Sequence, residues 1–239
     1  MAPRYTTCDR QCRRRPIVSV LSVDSPHRYP VHSDAMTSVP PSSSSHPATW
    51  EFDYSIYHAE TRAQWRSWLE HNHKTAPGVW LCSWRVATEK PTCPYAEVVE
   101  EAICFGWIDS TVNLLDNDRK LQLLTPRKPK SSWTRLNRQR VAEMEAAGLM
   151  TDAGRKAVDI ARGNGWWTIY DPVEDLVEPD ALASALNANA SARHAWDKFP
   201  PSARKVMLWW VISAARDDTR ARRIATIVAK AESGERAHG

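Results

Sequence analysis

The sequence predicts an α+β fold, with a small, mainly antiparallel sheet and helices in the N-terminal half and an all-helical C-terminal half. Alternating apolar residues, the pattern of a strand, occur between residues 79 and 125. From residue 134 onward the apolar residues instead recur at helical spacing. A sheet-bearing part followed by a helical part is typical of the α+β class.

Local signals set the boundaries of the predicted elements. Thr61 and Gln64 form a capping-box pattern, which predicts a helix that ends near Lys74. Residues 95–103 have helical spacing, and we expect Gly106 to end that helix in the left-handed conformation. The other expected elements are strands 79–86, 107–115 and 120–125, with a turn at 116–118, and helices 134–147, 152–162, 179–188, 191–198, 201–214 and 217–232.

The composition divides the chain of 239 residues into three parts. Residues 1–49 contain seven Pro and nine Ser but no Gly, Trp or Phe, which predicts a disordered Ser/Pro-rich tail. Met36 precedes the Ser/Pro tract, so a start of translation there explains the tail as well as a targeting segment does. We expect an α+β lobe over residues 50–150 and a helical lobe over residues 151–239.

The charge and the apolar pattern exclude several classes of protein. Of the net charge of +4, the tail supplies +3 through six Arg and three Asp, so the overall charge does not favour a polyanionic partner. Residues 206–212 form an apolar run of seven, whereas a membrane span needs about 18. We therefore expect no membrane insertion and a cytoplasmic location.

The cysteines give no sign of a metal centre or a disulfide framework. Cys82, Cys93 and Cys104 are the three cysteines outside the tail, and their spacing fits neither pattern. Cys82 and Cys104 lie in apolar stretches and are predicted to be small core residues. The sequence thus predicts no metal ion, no cofactor and a reducing compartment.

Three motifs carry a resemblance to a known family. They are Phe-Gly-Trp-Ile-Asp at 105–109, Thr-Pro-Arg-Lys-Pro-Lys-Ser-Ser-Trp-Thr-Arg-Leu-Asn at 125–137, and Ala-Arg-Asp-Asp-Thr-Arg-Ala-Arg-Arg-Ile at 215–224. With Gly-Leu-Met-Thr at 148–151 between them, the chain resembles the YdeI/OmpD-associated, or bacteriocin-protection, family from about Tyr57 to Ser233. The resemblance implies a bacterial cytosolic protein associated with envelope stress and tolerance of cationic antimicrobial peptides. It implies no established reaction.

The first motif places an aromatic residue and a carboxylate on one strand face. Gly106 is expected to turn the chain from a helix into a strand. Trp107 and Asp109 are two residues apart, so they share a face of that strand. Two interpretations remain open: Trp107 is a core residue and Asp109 binds a neighbouring loop, or both residues line a ligand pocket.

The second motif lies in a basic segment. Eight Lys or Arg and no acidic residue lie between Arg119 and Arg140. A proline-stiffened loop directly before a helix start holds three of them, which predicts an anion site. Trp133 offers a surface for stacking or for a cation–π contact, unless it packs in the core. With the first motif included, the candidate ligand-binding residues are Trp107, Asp109, Arg127, Lys128, Lys130, Trp133 and Asn137.

No nucleophile, nucleotide-binding or metalloprotease motif is present in the sequence. The first functional hypothesis is therefore a non-catalytic protein that binds a small anionic molecule. One alternative is an enzyme that acts on a small molecule in a pocket around Trp107 and Asp109. Another is a nucleic-acid-binding module in which Trp133 stacks on a base. Replacing Arg127 and Lys128 by Gln is expected to leave the fold intact or slightly more stable, because it removes like charges.

Overall fold

The computed structural model of the protein describes residues 54–238. The tail predicted over residues 1–49 lies outside these residues. The elements, in chain order, are β1 (Ile56–His58), α1 (Arg62–Asn72), β2 (Val79–Trp84), α2 (Tyr95–Cys104), β3 (Trp107–Leu114), β4 (Arg119–Pro126), α3 (Arg135–Ala146), α4 (Asp152–Gly163), α5 (Asp171–Glu174), α6 (Asp180–Asn187), α7 (Ala190–Lys198), α8 (Pro201–Ile212) and α9 (Asp217–Glu232).

The sheet has the strand order β1-β2-β4-β3. Strands β2 and β4 pair antiparallel, as do β3 and β4, whereas the short β1 lies parallel to β2. Helices accompany the sheet in the N-terminal half and follow one another in the C-terminal half. The predicted α+β class is therefore confirmed. Strand β1 was not predicted, because three residues are too few to show a period of two.

The helix starts follow the local signals. The side chain of Thr61 accepts a hydrogen bond from the backbone of Gln64, and the Gln64 side chain accepts from the Thr61 backbone, which confirms the capping box. Thr134 and Thr151 cap α3 and α4 in the same way through their hydroxyl groups. Asp217 and Asp218 lie in the first turn of α9, where carboxylates stabilise the helix dipole.

The buried side chains form three groups. The first group packs helices α1 to α4 against one sheet face and includes the indole rings of Trp65, Trp68, Trp107 and Trp133. A smaller group, with Trp80 and Cys82, covers the other face. The third group joins α5 to α9 around Trp196. The division into lobes at residue 150 stays a prediction.

Gly106 connects the end of α2 to the start of β3 and to the basic loop. Its φ angle of 73° lies in the left-handed region, as predicted. Its carbonyl oxygen accepts a hydrogen bond of 2.8 Å from the backbone of Arg127. The turn at Gly106 therefore brings the first motif and the basic loop together.

Within residues 54–238, the helices are all too short or too polar to cross a membrane.

Candidate functional site

The loop between β4 and α3 is fixed at both of its ends. Arg127 is held at its backbone by Gly106, directly after β4. Further along, the Ser131 amide donates to the Lys128 carbonyl at 2.9 Å, which closes a turn. The Asn164 side chain donates to the Pro129 carbonyl at 2.7 Å and ties the loop to the end of α4. These contacts place the Arg127 side chain over the start of β3.

The Arg127 guanidinium lies against the Trp133 ring, with Cζ 3.6 Å from the ring centroid, which is a cation–π contact. Its Nε donates to the Trp107 carbonyl at 3.2 Å and its Nη1 donates to the Ser132 carbonyl at 3.1 Å. Burial lowers the pKa of Arg127 to about 10, although the negative charge of Asp109 acts in the opposite direction. The guanidinium is therefore a partly buried cation whose hydrogen bonds go to neutral groups.

Arg127 has no direct counter-ion among residues 54–238. No carboxylate oxygen in this part of the chain lies within 4.0 Å of its nitrogens. Lys128 and Lys130 are exposed and likewise have no acidic partner at this distance in the described chain. The part of the basic segment at residues 127–130 thus carries positive charge that is not paired with a carboxylate.

Arg135 and Arg138, in α3, are neutralised by acidic residues in and directly after α5. Arg135 makes hydrogen bonds of 2.6 and 2.5 Å to the Asp175 carboxylate, and its backbone N–H donates to Glu174 at 3.2 Å. Arg138 binds Asp171 at 2.6 Å. The chain's own Glu174 accepts a hydrogen bond at the start of α3, and the contribution of that helix end to ligand binding stays a prediction.

Trp107 and Asp109 have different surroundings, although they share a strand. Trp107 is 1% exposed and packs edge-on against Trp68 in the core, with 5.7 Å between the ring centroids. Asp109 is half-buried and accepts a hydrogen bond of 2.6 Å from the Tyr95 hydroxyl at the start of α2. Trp107 contributes its carbonyl group to Arg127, and a contact between its ring and a ligand stays a prediction.

Tyr95 is the hydrogen-bond partner of Asp109, and the charge of Arg140 acts on Tyr95. Burial of the hydroxyl, followed by its hydrogen bond to Asp109, raises the pKa of Tyr95 to about 12. Tyr95 as a whole residue is 51% exposed. The positive charge of Arg140 opposes this rise in pKa.

Asn137 positions Arg140. Its side-chain oxygen accepts a hydrogen bond of 3.2 Å from Arg140 Nη1, and its backbone N–H donates to Thr134 at 3.1 Å. Within residues 54–238, no carboxylate forms an ion pair with Arg140. We refer to Tyr95, Asp109, Arg127 and Arg140 as the Arg127 site. Sequence reasoning missed Tyr95, which precedes the motifs, and it included Arg140 only as the last residue of the basic segment.

Two grooves lie outside the Arg127 site. One, of about 290 Å³, lies between α3 and α4 and includes Arg138, Arg155 and Arg162. The other, of about 500 Å³, lies between α6 and α9 and is lined mainly by alanine. In the first groove Arg138 is paired with Asp171 and Arg155 with Glu145, so much of its positive charge is compensated. Uncompensated charge distinguishes the Arg127 site from this groove.

No cluster of three or more metal-ligating side chains occurs among the residues that the structure describes. The cationic side chains of the Arg127 site are themselves unsuited to hold a metal ion, because guanidinium groups donate hydrogen bonds and offer no lone pair. The arrangement can instead bind an anionic group by charge-assisted hydrogen bonds.

Comparison with known families gives two partial matches. Residues 57–157 match a domain of unknown function (DUF8412). Residues 175–234 match the family described as bacteriocin-protection, YdeI or OmpD-associated. The resemblance predicted from the motifs is therefore confirmed for the C-terminal part of the chain. The Arg127 site lies within the first match. No curated protein and no solved structure shows significant similarity to the chain.

Proposed function

From the match of residues 175–234 to the bacteriocin-protection family, we propose a cytoplasmic, non-catalytic binding protein that protects a bacterial cell against stress from antimicrobial peptides. We further propose that the Arg127 site binds its ligand, a small anion. The family match supports the protective role, and the geometry of Arg127 supports the binding role. The two parts can be tested separately, because the match and the site lie in different segments of the chain.

The unpaired state of Arg127 is the observation that carries the binding proposal. A buried guanidinium normally has a carboxylate partner, because desolvating a charge is costly unless another charge compensates it. Arg127 instead donates to the carbonyl groups of Trp107 and Ser132, and its Nη2 has no hydrogen-bond partner within residues 54–238. An anion at Nη2 would supply the missing counter-charge, and such a hydrogen bond typically contributes about 1.5–3 kcal/mol.

The neighbouring cations strengthen this proposal. Lys128 and Lys130 are exposed on the loop, and the positive charge of Arg140 acts on Tyr95, the hydrogen-bond partner of Asp109. Uncompensated charges of one sign raise the local concentration of anions and accelerate their binding. Arg135 and Arg138 do not contribute in this way, because α5 already neutralises them.

The nucleic-acid alternative receives no support from the position of Trp133. A base that stacks on an indole needs an open ring face. Trp133 is 1% exposed, with Arg127 on its ring and Trp167 at a centroid distance of 5.1 Å. Stacking would require the loop to open and Arg127 to leave.

The enzyme alternative rests on the Tyr95–Asp109 hydrogen bond. A pKa of about 12 keeps the Tyr95 hydroxyl protonated at neutral pH, so it is a poor general base there. Asp109 has no second acid or base within hydrogen-bond distance besides Tyr95 among the described residues. Non-catalytic binding therefore agrees better with the geometry.

Thermal unfolding with phosphate, sulfate or acetate, each balanced with chloride to constant ionic strength, tests the binding role. Bound ligand should stabilise the protein by about 2.7 kcal/mol at a hundredfold excess over Kd. Arg127→Gln and Arg140→Gln should abolish most of this gain. Lys156→Gln is the matched control, because Lys156 is exposed on α4, forms no ion pair within residues 54–238 and carries the same charge. Equal melting temperatures of the unmodified protein in every anion would contradict the proposal.

The structure changes one expectation about this test. Replacing Arg127 and Lys128 together was predicted to leave stability unchanged or slightly higher, yet Arg127 makes two hydrogen bonds and a cation–π contact. We now expect Arg127→Gln to destabilise the protein by roughly 1–3 kcal/mol. Each variant must therefore be compared with its own melting temperature in chloride. Arg140→Gln, which loses a single hydrogen bond to Asn137, provides the milder variant.

Expression in a bacterial host exposed to a cationic antimicrobial peptide tests the protective role. The unmodified chain should raise survival, and Arg140→Gln should do so less if the anion site serves this role. Equal survival with and without the chain would contradict the protective role and leave the binding result unaffected. Immunoblotting of the variant excludes a difference in protein amount.

A further inference from the structure

Asp109 brings a negative charge close enough to act on the Arg127 guanidinium. Nε of Arg127 donates to the carbonyl of Trp107, which lies on β3 two residues before Asp109. Trp107 pairs with Pro126 and Asp109 pairs with Leu124 across the β3–β4 ladder. The carboxylate and the guanidinium therefore lie at the same end of two adjacent strands. Their nitrogen and oxygen atoms nevertheless do not approach within 4.0 Å.

Only one of the two oxygen atoms of the Asp109 carboxylate accepts a hydrogen bond from the described residues. Tyr95 donates to Oδ2 at 2.6 Å, whereas Oδ1 has no hydrogen-bond donor among residues 54–238. A carboxylate oxygen accepts up to two hydrogen bonds, so Asp109 can still accept one from a ligand. Tyr95 is exposed and Asp109 is half-buried, so neither residue is sealed in the core.

Arg127 and Asp109 offer a ligand opposite kinds of hydrogen-bonding group. Arg127 offers the Nη2 donor and positive charge, and Asp109 offers the Oδ1 acceptor and negative charge. A phosphate or sulfate dianion would gain from Arg127 but would be repelled by Asp109, since like charges a few ångströms apart are unfavourable. A ligand that presents an acceptor to Arg127 and a donor to Asp109 satisfies both groups.

We infer that the Arg127 site takes a small carboxylate with a hydroxyl or amino group on the adjacent carbon. The ligand carboxylate accepts from Arg127, and its hydroxyl or ammonium group donates to Asp109. Arg140, which donates a hydrogen bond to Asn137, adds a second positive charge that acts on Tyr95. This inference rests on the proposed anion-binding function and specifies the class of anion.

Three matched three-carbon probes test the inference by isothermal titration at constant ionic strength. Lactate and propanoate differ by one hydroxyl group, and alanine replaces that hydroxyl with an ammonium group. We expect lactate and alanine to bind about tenfold more tightly than propanoate, since one charge-assisted hydrogen bond separates them. Asp109→Asn should reduce the preference to about twofold or less while propanoate binding persists or improves, because a repelling charge is removed.

Tyr95→Phe provides a second variant that keeps the Asp109 charge. It frees Oδ2, so the preference for lactate over propanoate should persist. Equal affinity of the unmodified protein for all three probes, with phosphate or sulfate still bound, would overturn the inference and leave the anion site standing. Tighter binding of sulfate than of lactate would overturn it as well. Loss of binding for every anion would instead show that the proposed function itself is wrong.

Discussion

Gly154, at the start of α4, lies directly against the carbonyl group of Cys104 at the end of α2. A Cβ atom at residue 154 would be 2.3 Å from that oxygen, which is closer than such atoms can approach. The same oxygen accepts hydrogen bonds from the backbone and the hydroxyl of Thr151, at 3.1 and 2.6 Å. The contact fixes α4 against the turn at Gly106, on which the Arg127 site depends.

Gly154→Ala should therefore destabilise the protein, even though alanine is the better helix former. We expect a loss of about 1–3 kcal/mol in the free energy of unfolding, measured in urea, because the added methyl group forces the two helices apart. Gly163→Ala, at the other end of α4, is the control. A Cβ atom there meets nothing within 4 Å, so this variant should be neutral or slightly more stable. Similar midpoints for the two variants would show that α2 and α4 do not pack as described.

Gly106→Ala and Gly148→Ala separate backbone strain from crowding. Both glycines have a left-handed φ angle, of 73° and 68°. A Cβ atom at residue 148 has open space, whereas one at residue 106 would lie 2.9 Å from the Ala153 carbonyl oxygen. We expect a loss of about 1–2 kcal/mol for Gly148→Ala and roughly 2–4 kcal/mol for Gly106→Ala. Equal losses by chemical denaturation would mean that crowding at Gly106 is negligible.

The stability of the helical part should fall with acid through Glu178. Hydrogen bonds from Arg193, at 2.7 and 2.9 Å, are the main reason that the pKa of Glu178 is lowered, and the Trp196 ring N–H contributes at 2.7 Å. Because the folded pKa lies below the unfolded value of about 4.3, the stabilisation is complete above that pH and is lost as the pH falls through the folded pKa.

Glu178→Gln should accordingly lower the stability at pH 7 by roughly 1–3 kcal/mol and flatten its decline between about pH 5 and pH 3. Asp197→Asn is the matched control. Asp197 also binds Arg193, but its side chain is 55% exposed, so its loss should change the stability at pH 7 by about 0–1 kcal/mol. If the stability of Glu178→Gln fell with decreasing pH as steeply as that of the unmodified protein, Glu178 would not be the cause of the decline.

The three described cysteines should resist thiol reagents in the native protein. Burial raises the pKa of Cys82, Cys93 and Cys104 to about 11 each, so about one thiol in a thousand is ionised at pH 8. In a variant with Cys8→Ser and Cys12→Ser, a colorimetric thiol reagent should react slowly with all three. In denaturant the same three thiols should react within seconds to minutes. A thiol that reacts equally fast in both conditions would show that it is accessible.

The helix caps and the left-handed glycine were predictable, because each depends on residues close together in the chain. Thr61 and Gln64 satisfy each other's backbone within one turn, and Gly106 needs only its missing Cβ to adopt its φ angle. The four-residue helix α5 was missed, because one turn is too short to show a helical period. The fold class followed from such local patterns.

Only the tertiary structure decided which of the basic side chains form ion pairs with carboxylates. Arg135 and Arg127 belong to one basic segment, and nothing local distinguishes them. Folding brings Asp175, 40 residues away, onto Arg135, whereas it places Arg127 over Trp133 with no carboxylate close enough to pair among the described residues. The Tyr95–Asp109 hydrogen bond likewise joins a helix start to a strand. The sequence determined the elements through short-range hydrogen bonding and apolar spacing, and packing between distant elements determined the electrostatics of the site.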